Sequence, residues 1–381
     1  MRKSIGRNYF YNLLYELFQL VVPLLVTPYV SRALGEASSG QYSYIYSIVT
    51  FFTLFAALGF NRYAQRLIAQ HQGNMYRQSV DFWEIFLARL IPVVIVLTVY
   101  LLLWNASVFG DKYRTIVGIF SINIITVALD IAFFFQGNEE FGSVVLRNIA
   151  VKVVGFACIF LFVKTSMDLW KYTLIQCCIL FFSNLLLWTQ VPKCLVKIDI
   201  GVLHPFRHLP ATLILFLPTI ATTIYTSLDK TLIGLITKND IENGNYEYAE
   251  RIVKMALTVV LSLGAVMIPR NSQRFASGKI NEVEENIYKS SRFVMILGIP
   301  MMFGLITIAD NLIPWYLGSG YNKAANLVKI LAPIIVIIGL SNVFGLQFLI
   351  PSGQDKKFSV AVFLGALINF LLNMCLIRLW G

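Results

Sequence analysis

The sequence predicts an all-α polytopic membrane protein of about eleven transmembrane helices in two repeated lobes around a central cavity, six helices in residues 1–200 and five in 201–381. Three observations carry that prediction. First, 57% of the residues are hydrophobic and only 13% are charged, too few charges to cover a soluble chain of 381 residues. Second, the apolar segments have the length of membrane helices, about 20 residues per crossing, and lack the ~10-residue alternation of barrel strands. Third, the chain echoes itself. Pro28-Tyr29-Val30-Ser31-Arg32-Ala33-Leu34-Gly35 is followed by Gly40-Gln41-Tyr42-Ser43-Tyr44, and about two hundred residues later Asp229-Lys230-Thr231-Leu232-Ile233-Gly234 is followed by Gly244-Asn245-Tyr246-Glu247-Tyr248. A weaker echo pairs Phe135-Gln136-Gly137-Asn138-Glu139 with Pro351-Ser352-Gly353-Gln354-Asp355. Whole-bundle repeats of this kind build many transporters, with the substrate path between the halves.

In chain order the apolar segments centre near Val21, Thr50, Val94, Ile124, Ala157, Ile179, Thr222, Val259, Pro300, Val336 and Leu367. A cytoplasmic amino terminus puts Arg2, Lys3 and Arg7, then Arg62, Arg66 and Arg77, then Lys193, Lys197 and Arg207, then Arg270 through Arg292, on the inside. Bases on that side outnumber those outside about two to one, as the positive-inside rule requires. The basic start resembles a signal peptide, but its apolar run continues to Val30 and into the repeated motif, which predicts a retained first helix.

The net charge of +11 therefore calls for basic loops on an anionic leaflet, not for nucleic acid. The three stretches predicted as long cytoplasmic loops, around 61–81, 190–210 and 269–292, are too short to fold as domains. No phosphate loop, HExxH pair or Ser-His-Asp arrangement occurs, so neither a catalytic residue nor a metal site is predicted. His71, His204 and His208 fall in the predicted cytoplasmic loops and are expected to be solvated. The five cysteines show no disulfide framework.

Polar residues inside the apolar segments mark the expected working surfaces. Asn8, Asn12, Glu16, Gln19, Pro23 and Thr27 step by three or four along the first segment, and Thr219, Thr222, Thr223, Thr226, Asp229 and Lys230 do so along the seventh. Such a face must meet a partner or water, although the hydroxyls have a second option in bonding their own i−4 carbonyls. Arg89, Lys152, Arg251 and Lys254 lie inside segments and Lys230 near a segment end. Each needs a counter-ion, water or an anionic ligand, and a diphosphate would suit the set. Glu250 with Arg251 is one candidate internal compensation. The expected substrate contacts are Arg32, Arg89, Thr219, Thr223, Thr226, Lys230, Arg251 and Lys254. Glu16, Asp130 and Asp229 are the embedded carboxylates expected to couple an ion, H+ or Na+, with no other cofactor.

The run from Pro28 to Gly35 with Gly40-Gln41-Tyr42 resembles the opening signature of the polysaccharide-export flippases, the O-antigen translocase (Wzx-like) branch of the multidrug/oligosaccharidyl-lipid/polysaccharide superfamily. Asp229-Lys230, Gly234, Gly244-Asn245-Tyr246 and Ala249-Glu250-Arg251-Ile252 are similar to the matching signature of its second half. Leu317-Gly318 with Tyr321 and Ala324-Ala325, and Asn369-Phe370-Leu371-Leu372-Asn373, are similar to later family patterns. The resemblance implies translocation of an undecaprenyl-diphosphate-linked oligosaccharide across the bacterial inner membrane by alternating access, with polysaccharide polymerase and chain-length machinery as partners besides the membrane lipids. It leaves two alternatives: a multidrug or cation antiporter of the same superfamily, and an O-antigen polymerase, for which a large periplasmic loop would be expected.

The family usually has twelve or more spans. Pairing the repeats leaves the second lobe without a partner for its sixth helix, which predicts a shortened chain or truncated frame, with Arg378 and the carboxyl terminus outside. Asn369 and Asn373 then need another partner in the bundle.

Overall fold

The computed structural model describes residues 5–380. Side chains are described from Val21 onward and at Phe18, except at Phe141, Ser143, Lys193, Ile200, Pro218, Tyr225, Ala265, Arg378 and Trp380. Fourteen helices follow one another: α1 (Ile5–Ala57), α2 (Phe60–Gln70), α3 (Met75–Asn105), α4 (Arg114–Leu129), α5 (Ala132–Gly137), α6 (Phe141–Phe162), α7 (Leu169–Trp188), α8 (Val191–Cys194), α9 (Leu209–Thr237), α10 (Asp240–Ala276), α11 (Ile280–Leu317), α12 (Asn322–Leu331), α13 (Ile334–Phe344) and α14 (Asp355–Trp380). No strand occurs among the described residues. Nine stretches among them are long and apolar enough to cross a membrane. Every predicted segment centre falls in a helix, with Val21 and Thr50 both inside α1 and Thr222 inside α9.

Two stretches predicted as cytoplasmic loops are largely helix. α10 and α11 run for 37 and 38 residues and meet at a short turn. At 1.5 Å per residue each is about 55 Å long, well beyond a ~30 Å hydrocarbon core, so both continue past the membrane as polar helix. Likewise α2 and the start of α3 together occupy most of 61–81.

Clustering of contacts divides the chain into two compact units, 1–231 and 232–381, a boundary that falls inside α9. In the first unit α1 is broken at Gly35, where φ 73° and ψ 173° suit only glycine. Its two arms pack Val26, Val30 and Leu34, then Tyr44, Ile45, Val49 and Ala56, against Tyr100 of α3, Phe120 and Ile124 of α4 and Tyr172 and Cys177 of α7. A second cluster joins Phe60, Ala64 and Ile68 of α2 to Phe82, Ile85 and Ala88 of α3 and to Phe133, Phe134 and Phe135 of α5. Polar tips are tied off inside this packing: the Tyr100 hydroxyl donates to the Val117 carbonyl at 2.7 Å and the Trp188 indole N–H to Leu129 at 2.9 Å. At the turn from α1 to α2, Gly59 has φ 74°, and a Cβ there would lie 2.6 Å from the Thr212 carbonyl oxygen of α9.

The second unit is built from α10 to α14, with Tyr248, Ile252, Val260, Val294, Ile313 and Val328 in its core. Its internal plan repeats that of the first. Tyr44 sits edge-on to Tyr113 at 5.5 Å, and Tyr248 edge-on to Tyr321 at 5.1 Å. Tyr113 and Tyr321 each stand just before a helix, α4 and α12, and each follows a proline inside the preceding long helix, Pro92 and Pro300, at the same interval. α3 and α11 both start two residues after a positive-φ glycine, Gly73 and Gly278. The sequence echo thus has a cause: the last tyrosine of each Gly-amide-Tyr-x-Tyr motif is a buried packing residue of its bundle.

Helix α14 is mostly exposed, with Phe363, Leu367, Leu371 and Leu379 on its surface. Its two asparagines partner each other, the Asn373 amide donating to Asn369 Oδ1 at 3.2 Å. An i, i+4 pair on one helix satisfies part of the requirement read from the sequence without help from another helix. The Arg378 side chain lies outside the described residues.

Candidate functional site

The predicted site residues fall into three groups. The first is the α9 stripe. Thr219, Thr223 and Thr226 each donate a hydroxyl to the carbonyl four residues earlier, at 3.1, 2.9 and 3.0 Å. Thr222 and Thr226 are exposed and Thr219 and Thr223 half-buried, so the hydroxyl oxygens keep acceptor capacity on a face that also carries Asp229 and Lys230. Neither of those two charges is free. Toward the end of α9, Thr231 shares a 2.7 Å hydroxyl pair with Ser47 of α1.

The second group lies on α10. Arg251 pairs with Glu247 at 2.6 Å, its guanidinium 5.6 Å from the Tyr248 ring centre, and Lys254 pairs with Glu250 at 2.6 Å. The compensation expected between Glu250 and Arg251 is thus made one turn away. Neighbours in sequence diverge by about 100° around a helix, whereas i and i+4 share a face. Lys254 is half exposed and its pair is of the kind worth about 0.3–0.5 kcal/mol, so an arriving polyanion can displace the carboxylate at small cost.

The third group is a buried knot around Arg89 of α3, which is 1% exposed. The guanidinium donates to the Asp130 main-chain oxygen and, at 2.8 Å, to Asn61 Oδ1, while Phe133 and Phe60 lie 5.1 and 5.8 Å from its centre. Asn61 in turn donates to Asp130 Oδ2 at 3.0 Å, and Asp130 Oδ1 accepts from the Ala132 N–H at 3.0 Å. Asp130 stands at the break between α4 and α5, where the chain leaves helical geometry and frees main-chain groups. The structure therefore brings Arg89 and Asp130 together as a brace across a helix break, in which both terminal guanidinium nitrogens are hydrogen-bonded and Nε is buried without a partner. Arg89 presents no surface to a large ligand. Arg32 is exposed, one residue after Ser31 in the arm that ends at Gly35, and it is not free. The Glu16 side chain lies outside the described residues.

Sequence reasoning missed a further cluster. Asp81 and Glu84 on α3 are 1% and 0% exposed, and His208 is 2% exposed where a solvated ring was expected. His208 Nε2 meets Glu84 Oε2 at 2.8 Å and its Nδ1 meets the Tyr63 hydroxyl at 2.7 Å. Arg207 reaches both carboxylates, Glu84 at 2.5 Å and Asp81 at 3.5 Å, and His71 contacts Asp81 at 2.5 Å. The segment between α7 and α9 is thereby stitched to α3: the His204 N–H donates to Glu84 Oε1 at 2.8 Å and the Val196 N–H to Ser79 Oγ at 3.0 Å. The one signal in the sequence was Asp81 and Glu84 at i, i+3 on a helix otherwise becoming apolar. In the second unit the buried contact between α10 and α11 is made by amides, with Asn286 donating to Asn271 Oδ1 and Asn271 to the Gln347 carbonyl, both at 2.9 Å.

A family model described as "Polysaccharide biosynthesis protein" matches residues 5–275. The chain is 23% identical over 371 residues to a protein named putative O-antigen transporter in Escherichia coli K12, covering 97% of this chain and 89% of that one. A protein of the same name in Shigella dysenteriae is 24% identical over 364 residues, 94% and 89% of the two chains. A shorter match, 24% over 137 residues, covers 35% of this chain and 25% of the lipid II flippase MurJ of Bacillus subtilis. Among solved structures, the inward-facing conformation of a multidrug resistance MATE family transporter of the MOP superfamily superposes with a TM-score of 0.69 at 13% identity, over 94% of this chain and 88% of that one. An outward-facing conformation from the same family gives 0.57 at 14% identity, over 93% and 85%. The fold is the one that these two structures show.

Proposed function

The chain belongs to the polysaccharide biosynthesis protein family, and on that premise we propose that it is a flippase carrying an undecaprenyl-diphosphate-linked oligosaccharide across the bacterial inner membrane. It is a multi-pass membrane protein whose full-length relatives are named as O-antigen transporters, and that near-complete match is the observation that carries the reading. The transport step is alternating access between two lobes, 1–200 and 201–381, in a fold that a multidrug transporter holds in both inward- and outward-facing conformations.

The chemistry of the site supports an anionic cargo. Lys254 and Arg251 hold their carboxylate partners through single-turn pairs that a diphosphate, with more charge and more acceptor oxygens, outcompetes. Arg32 and Lys230 supply further cations, and the exposed hydroxyls of the α9 stripe supply acceptors and donors for sugar hydroxyls. The reaction breaks no covalent bond, so the protein works as a transporter with no catalytic residue. An H+ or Na+ gradient drives it, and polymerase and chain-length machinery consume its product.

The test is complementation of a flippase-null strain supplied with defined O-antigen repeat units. Surface polysaccharide restored by at least one unit supports the reading. Failure with every unit, in cells where the protein is present in the membrane, refutes it.

A further inference from the structure

We propose that the buried cluster joining α3 to the segment before α9 is the proton-binding site of this transporter, an inference that rests on the flippase reading. Ionised Asp81 and Glu84 face one guanidinium, that of Arg207, so with both histidines neutral the cluster is one positive charge short. Uncompensated charge at 0–1% exposure is costly, and one added proton on His208 or His71 cancels it. Among the described residues no other charged group contacts Glu84: its partners are His204 N–H, His208 and Arg207, while Asp81 meets His71 and Arg207, and Tyr63 closes the cluster from α2.

The geometry accepts that proton without rearrangement. With neutral His208, Nε2–H donates to Glu84 and the Tyr63 hydroxyl donates to Nδ1. With charged His208, Nδ1–H donates to the same hydroxyl oxygen, because a phenol serves in either role. Water reaches the site through its outer members, Arg207 and His71, whose side chains are 43% and 32% exposed.

Counted from the helix start, Asp81 is the seventh residue of α3 and Asn286 the seventh of α11, where an amide pair with Asn271 stands in place of the carboxylate. What the charges add is dependence on a proton. The proton holds the 190–208 segment, and with it the start of the threonine-bearing α9, against α3. Its loss leaves one negative charge buried and favours release.

The chain has three histidines, so ring resonances of 13C,15N-histidine-labelled protein in nanodiscs are assignable by single His→Gln replacements. Glu84→Gln removes a negative neighbour and should lower the His208 midpoint by about 1–3 pH units, while Arg207→Gln removes a positive one and should raise it. Tyr63→Phe deletes the Nδ1 partner in both states, and because the bond made by the charged ring is the stronger one it should lower the midpoint, a gentler variant should Glu84→Gln fail to fold. The pH profile of flipping should move with each midpoint. A His208 midpoint that none of the three variants displaces overturns the proposal, as does a displaced midpoint with an unmoved transport profile. Absence of flipping by the unaltered protein at every pH would instead sink the flippase reading itself.

Discussion

Arg89→Met separates a structural brace from a substrate contact. Met ends about where Nε stood, three heavy atoms short of the guanidinium tip, so the contact with Phe60 and Phe133 loosens, and thioether contacts of about 0.3–1.5 kcal/mol offset part of the lost cation–ring attraction of about 0.5–2 kcal/mol. What is lost are the hydrogen bonds to Asn61 Oδ1 and the Asp130 carbonyl, two acceptors in a corner where Arg89 itself is 1% exposed. The Asp130 carbonyl, on a half-buried residue, is left unpaired at a cost of about 1–3 kcal/mol. Asn61 is exposed and its Oδ1 turns to water, so the total is about 2 kcal/mol, or roughly thirtyfold in the folded fraction. The assay is unfolding in mixed detergent micelles by SDS titration, together with the membrane level of a fluorescent fusion. Arg89→Lys, one point donor in place of a fork, should fall between wild type and Met. Wild-type stability and level in Arg89→Met, with export lost, would refute the brace and return Arg89 to the substrate path.

Replacing both bases on α10, Arg251→Gln with Lys254→Gln, should change unfolding free energy by less than about 1 kcal/mol, since each i, i+4 pair contributes about 0.3–0.5, yet abolish export at normal protein level. Export equal to wild type would remove these two as substrate contacts. Gly59→Ala puts a Cβ at 2.6 Å from the Thr212 oxygen on a residue with φ 74°, and should sharply lower the amount of folded protein; a normal melting profile would show that the α1–α9 approach is looser than described. Tyr44→Ala and Tyr248→Ala each remove a buried ring packed edge-on to its counterpart and should each cost about 3–5 kcal/mol. A large cost for one and none for the other would show that the two motifs do not play the same part.

The repeat was legible because its marks are local: a glycine, an amide and a buried tyrosine at fixed spacing, read again in the second half. Long apolar segments likewise announced their helices. The break in α1 was harder to place, since Pro23 and Pro28 are the obvious breakers while the backbone departs from helix at Gly35. Charges inside segments were found by type but not by partner. Arg89 looked like a cation in need of a ligand, and its terminal nitrogens donate to a carbonyl freed at the α4–α5 break and to Asn61, neither of them a charged signature in the chain. His208 looked solvated because loop histidines usually are. Its burial depends on α2 and α3 carrying Tyr63 and Glu84 to it from more than a hundred residues away, a contact with no local trace.

The most direct measurement is flipping by the purified protein in vesicles. An undecaprenyl-diphosphate-linked oligosaccharide with a fluorescent sugar is placed in the outer leaflet, and its loss from reach of an external glycosidase is followed with a proton gradient imposed. The account predicts protein-dependent protection that vanishes with Arg251→Gln/Lys254→Gln. Protection no faster than in protein-free vesicles, alongside gradient-driven uptake of a cationic drug, would contradict it and make the chain an antiporter.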